Sequence, residues 1–141
     1  MDYYTNALET EKAAVVLLDA ELYRQSVYMS CLAVELFLKS KLHLVKYREG
    51  LELSHDIVNL YRALQTRFKP KSELDKAIAR CRKYFNEARY PYANDTSIYT
   101  HEFASEFVEI VKTIKHYIES VCIATIEDLE KTYSKSDQSK K

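Results

Sequence analysis

The chain has 141 residues, with 21 basic and 21 acidic side chains, 47% apolar residues, one glycine and two prolines. That apolar content suffices for one core, while the scarcity of turn residues excludes an all-β fold. The cancelling charges supply no net field for a polyanion or an anionic membrane, so any nucleic-acid contact must come from a local patch.

Asp2 is placed to cap a first helix running to about Leu18, with Tyr4, Ala7, Leu8, Val15 and Leu18 inward and Glu9, Glu11 and Lys12 toward water. A turn near Asp19 and Ala20, marked by no helix breaker, leads into a second helix from about Glu21 to Tyr47. Its middle, CLAVELFLKSKL, is apolar on nearly every side, which makes it the central helix. Gly50 is expected just past its end, where a positive φ commonly closes a helix. A short helix from about Asp56 to Phe68, capped by Ser54 or Asp56, turns Ile57, Leu60, Tyr61 and Leu64 inward, and Pro70 separates it from the next.

The fourth helix starts at Ser72 as N-cap and buries Leu74, Ala77, Ile78, Cys81, Tyr84, Phe85 and Ala88. It ends near Ala88, because Pro91 disfavours helical dihedrals at Tyr90. Thr100 caps the last helix, about residues 101–131, whose apolar stripe comprises Phe103, Phe107, Ile110, Val111, Ile114, Tyr117, Ile118, Val121, Cys122 and Thr125. The final TYSKSDQSKK is too polar to order itself, so the expected organisation is a helical domain over 1–131 and a disordered tail over 132–141. Short connections make neighbouring helices antiparallel; the expected fold is all-α, an up-and-down bundle of four long helices plus one short inserted helix.

Cys31, Cys81 and Cys122 lack metal-ligand spacing and fall in phase with apolar neighbours, so they read as buried, reduced thiols of a cytoplasmic protein with no metal and no cofactor. The longest apolar stretch, Val27 to Leu38, is interrupted by Glu35 and is too short to span a bilayer. Twelve tyrosines without a tryptophan suit places where the ring is dry and the hydroxyl wet, such as bundle edges or a homodimer interface.

Three motifs carry chemistry. In AVELFLKSKL, Glu35 and Lys39 have the favoured order and spacing of a helical ion pair. A surface pair is the simpler account, but apolar surroundings make the charges candidates for a site. In SHDIVNLYRAL, Asp56 is an N-cap, and His55 is either a local hydrogen-bonding partner or a titrating group. In YFNEARYPY, Arg89 suits the negative end of its helix; flanked by Tyr90 and Tyr92, it also suits phosphate capture and base stacking.

These motifs, in this order ahead of a long final helix, resemble the HEPN domain family from about Ala7 to Ile126. The family often has glutamine where Cys31 or Leu32 precedes AVE here. The resemblance implies a helical bundle, frequently dimeric, that acts with a minimal nucleotidyltransferase partner, often in toxin-antitoxin systems, and works near nucleotides or RNA. One branch of the family consists of metal-independent ribonucleases with an arginine closely followed by a histidine near the start of the last helix. Here eleven residues separate Arg89 from His101, so the close pair is absent. The expectation is a noncatalytic module that binds a nucleotide or a nucleotidyltransferase through Arg89, Tyr90, Tyr92, Glu35, Lys39 and His55. The alternatives are a ribonuclease using Arg89 and His101, and a purely structural interaction module.

Overall fold

A computed structural model describes residues 2–45, 50–65, 72–90 and 96–139, with side chains through residue 120 apart from that of Ser72. Five α-helices follow one another: α1 (Tyr3–Asp19), α2 (Tyr23–Lys39), α3 (Ile57–Gln65), α4 (Ser72–Arg89) and α5 (His101–Ser139). Four are long and α3 is short, and among the described residues there is no strand. The expected all-α bundle is the observed one.

Capping chemistry sets the starts. Asp2 Oδ1 accepts from the Tyr4 amide at 3.0 Å, Asp56 Oδ1 from Val58 at 3.0 Å and Asn59 at 3.3 Å, and Thr100 Oγ1 from Phe103 at 3.2 Å. The cap expected at Ser72 lies outside the described side chains. The turn after α1, which no residue type announced, is a Schellman motif. The amide of Leu22 reaches back to the Leu17 carbonyl at 2.9 Å and that of Glu21 to Leu18 at 3.1 Å, with Glu21 held at φ +63°.

The second helix ends earlier than its sequence suggests, at Lys39 rather than near Tyr47. The Ser40 hydroxyl donates to the Phe37 carbonyl at 2.5 Å, and the Lys41 amide bonds Leu38, three residues back, tightening the chain into a 3-10 turn over Leu42–Leu44. Leu42 and Val45 are thereby buried. Gly50, at φ +79°, does not close α2 but opens a second 3-10 turn over Leu51–Leu53. At the other end of the chain, the sequence puts the end of α5 near residue 131, yet its backbone is helical to Ser139, since nothing between them is glycine or proline.

Helix α2 packs against α1, α3, α4 and α5, and ten of its 17 residues are buried. Phe37 and Phe107 are the largest fully buried side chains, each stabilising the fold by about 1.5–3 kcal/mol of transfer energy. The α3 residues Ile57, Leu60, Tyr61 and Leu64 all lie inward as expected. Glu11 does not face water: its side chain is 12% exposed and pairs with Lys115 at 2.9 Å, tying α1 to α5.

Three contacts fix the antiparallel register of α2 against α4. Arg24 Nη1 donates to the Ala88 carbonyl at 2.6 Å, the Tyr28 and Phe85 rings meet at 5.4 Å, and the Cys31 and Cys81 thiols are neighbours in the core. Both thiols are free and buried, and burial, then the neighbouring Cys81 thiol, pushes the Cys31 thiol well above its ordinary range. Cys122 lies outside the described side chains. No helix among the described residues is long and apolar enough to cross a membrane.

One strained residue and one unpartnered hydroxyl make measurable demands on stability. A side chain at positive φ costs about 1 kcal/mol, so Glu21→Gly should raise the unfolding free energy by about that amount, measured by urea titration. The buried Tyr117 hydroxyl has no partner among the described residues, and burial raises its pKa to about 12 from 10.0. Its contribution to stability is therefore complete below pH 10 and is lost as the pH rises from 10 through 12. Tyr117→Phe should flatten that decline and add about 1 kcal/mol at neutral pH.

Candidate functional site

Two charged side chains of α2 lie in the core. Glu35 and Lys39 are 3% and 6% exposed, and Lys39 Nζ sits 3.7 Å from Glu35 Oε2, one helical turn away. Taking two such charges out of water costs several kcal/mol each, and an isolated buried carboxylate would be intolerable. The second partner of Glu35 comes from far along the chain: His55 Nδ1 lies 2.9 Å from Glu35 Oε1. Because a carboxylate can only accept, Nδ1 is the donor in this bond, on a side chain that is 82% exposed.

Local turns hold His55 there. The Ser54 hydroxyl accepts from the Asp56 amide at 3.1 Å, and Asp56 caps α3, so the histidine sits between two side-chain-to-backbone bonds. Helix α2 ends at Lys39, and His55 lies level with Glu35, one turn before that end.

His55 and Arg89 line the same cavity, of about 330 Å³, together with Asp56, Arg82, Phe85 and Asn86. Arg82, Phe85, Asn86 and Arg89 share one face of α4 at three-, four- and seven-residue steps. Arg82 Nη2 bonds Asp56 Oδ2 at 3.0 Å, which neutralises the carboxylate in the lining. The Arg89 guanidinium lies 5.4 Å from the centre of the exposed Tyr90 ring, and among the described residues no carboxylate pairs with it. What remains is a cationic cavity backed by a hydrogen-bonded imidazole, suited to an anionic oxygen ligand.

The structure thus brings Glu35, Lys39, His55 and Arg89 into one region, with Tyr90 beside Arg89; Tyr92 lies outside the described residues. His101 does not line the Arg89 cavity: it is exposed at the start of α5, its ring 5.8 Å from that of Tyr23 and its Nδ1 3.5 Å from the Ser105 hydroxyl. Arg82 and Asn86 were missed by sequence reasoning. Their signal was the helical spacing back from Arg89, legible only once Arg89 was known to face a cavity. No cluster of histidine, cysteine and carboxylate able to hold a metal occurs among the described residues.

Fold and cavity together define an all-helical bundle with an ionic group on its central helix. A family model for the HEPN domain matches residues 1–121, and the chain belongs to that family. It is similar to TT1696 from Thermus thermophilus, whose crystal structure aligns with a TM-score of 0.74 at 25% identity, covering 85% of this chain and 95% of that one. A comparison with curated proteins returned no match.

The buried pair makes an asymmetric prediction. Glu35→Ala strands Lys39 in the core and should cost about 3–5 kcal/mol, whereas replacing Glu35 and Lys39 together by methionine should be nearly neutral. Equilibrium urea unfolding of the single and double variants measures the difference.

Proposed function

We propose that this chain is a noncatalytic HEPN-type module that binds a nucleotide, a minimal nucleotidyltransferase partner or both, with Arg89 as the principal phosphate contact. The observation that carries this reading is the convergence of three separate sequence motifs on one region: Glu35 with Lys39, His55, and Arg89. A guanidinium with no carboxylate partner among the described residues supplies two parallel donors for a phosphate, which is the geometry arginine favours. Tyr90, beside Arg89, would give a base a stacking surface; Tyr92 lies outside the described residues. Such a module is proposed to work as a homodimer beside its partner in a toxin-antitoxin arrangement in the cytoplasm.

A ribonuclease reading places Arg89 and His101 in catalytic roles. The cavity favours the binding reading, because the histidine that lines it with Arg89 is His55. Proton transfer needs its base within hydrogen-bond reach of the reacting hydroxyl.

Isothermal titration calorimetry with ATP tests the proposal. Saturable heat is expected, and Arg89→Gln should weaken binding about tenfold, the loss of one charge-assisted hydrogen bond. Absence of both heat and amide chemical-shift changes would sink it, as would metal-free RNA cleavage that disappears in His101→Ala. Light scattering at micromolar concentration should give the mass of a dimer.

A further inference from the structure

Helix α5 is far longer than its neighbours, with 39 residues against 17 in α1, 17 in α2 and 18 in α4. Contacts near its middle mark where the other helices stop. The Tyr4 hydroxyl, in the first turn of α1, donates to Glu119 Oε1 at 2.9 Å, and the Tyr4 ring meets that of Phe37, close to the end of α2, at 5.9 Å. Glu73 and Leu74, in the first turn of α4, line a cavity with His116 and Tyr117. Gln65, the last residue of α3, donates to Asp75 of that same turn at 3.5 Å. Four helix ends thus gather level with residues 116–119, while α5 runs on to Ser139, about 30 Å past them. The family model stops at residue 121, so this extension lies almost wholly outside the HEPN domain.

The sequence of the extension carries on the pattern that faces the core. Within the bundle α5 buries Val111, Ile114 and Ile118, and the same three- and four-residue steps continue through Cys122, Thr125 and Leu129. Such spacing is that of a seam between two helices. By helical position Ile126 and Tyr133 fall along one flank of the seam, Asp128 and Lys135 along the other.

Two copies of this seam are self-complementary when laid antiparallel about a two-fold axis between Glu130 and Lys131. Leu129 then comes level with Thr132 of the partner subunit. On one flank Ile126 falls within a turn of Tyr133 of the partner subunit, and on the other Asp128 falls within a turn of Lys135 of the partner subunit. Apolar meets apolar, and acid meets base.

We infer that the extension of α5 is the surface on which two copies of this chain pair, antiparallel, as a homodimer. The inference rests on the homodimer reading above and adds the interface. A lone helix would leave its seam in water, and pairing buries it; the bundled half of α5 supplies the nucleus that a free peptide of this length lacks.

Sedimentation equilibrium of the full chain over a dilution series measures the pairing, and thermal unfolding by circular dichroism at the lowest concentration follows the bundle. Leu129→Glu keeps a good helix former but puts a charge on the seam. It should weaken the dimer about a hundredfold, since two leucines leave the seam at once, and should not move the unfolding temperature of the monomer. Lys135→Asp and Asp128→Lys should each weaken the dimer about tenfold at low salt, and combining them should restore it, the rescue that antiparallel pairing of the two positions demands. Equal dimer affinity in wild type and Leu129→Glu would place the interface elsewhere while the homodimer stands. A wild type that is monomeric throughout would end both readings. A lower unfolding temperature for monomeric Leu129→Glu would mean that the seam packs on its own bundle, and a double charge variant weaker than either single one would refute the antiparallel register.

Discussion

A carboxylate on the central helix of a bundle cannot stay dry and alone, and most of the architecture around the site answers that constraint. Glu35 is buried because α2 packs against every other helix, and its company is Lys39 one turn along and His55 from beyond the next turn. Holding His55 in place goes with the end of α2 at Lys39 and with Ser54 and Asp56, which fix the backbone on either side of it. The ionic group and the fold of the middle of the chain are thus one feature. A hydrophobic substitute for the pair would leave His55 without its carboxylate and the connection free of that tie.

The same constraint shapes what reaches solvent. With Nδ1 committed to Glu35, the imidazole presents a defined face to the cavity that Arg89 shares. The chain has no net charge, and a local group such as the Arg89 guanidinium in this cavity, more than overall charge, recognises anions. Membership of the HEPN family accounts for the bundle, and the cavity chemistry accounts for the nucleotide reading proposed for it.

Much of this was legible in the residues because the chain uses strong local signals. The helical periodicities of α3, α4 and of α5 as far as Ile118 matched their buried faces, Val121, Cys122 and Thr125 lying outside the described side chains, and the Asp2, Asp56 and Thr100 caps formed as their types predict. What escaped were features decided by tertiary pairing. Nothing in SKLHLVKY breaks a helix, so the end of α2 at Lys39 depends on burial of Leu42 and Val45 and on a serine hydroxyl turning to the backbone. The turn at Glu21 was obscure because a glutamate occupies a conformation that glycine normally fills. Glu11 belongs with the water-facing residues by periodicity, and only the approach of Lys115 moves it inside. In the site, Glu35, Lys39, His55 and Arg89 stood out individually. That His55 reaches Glu35 across twenty residues, and that Arg82 joins Arg89, needed the fold.

The three contacts between α2 and α4 differ in kind: a guanidinium on a carbonyl, two rings, two thiols. Sliding α4 along α2 by one turn would break all of them at once. Arg89 follows immediately after the carbonyl that Arg24 holds, so the backbone that carries it is immobilised before any ligand arrives. The entropy of positioning that helix end is spent during folding, leaving only the flexible arm of the arginine to be ordered on association.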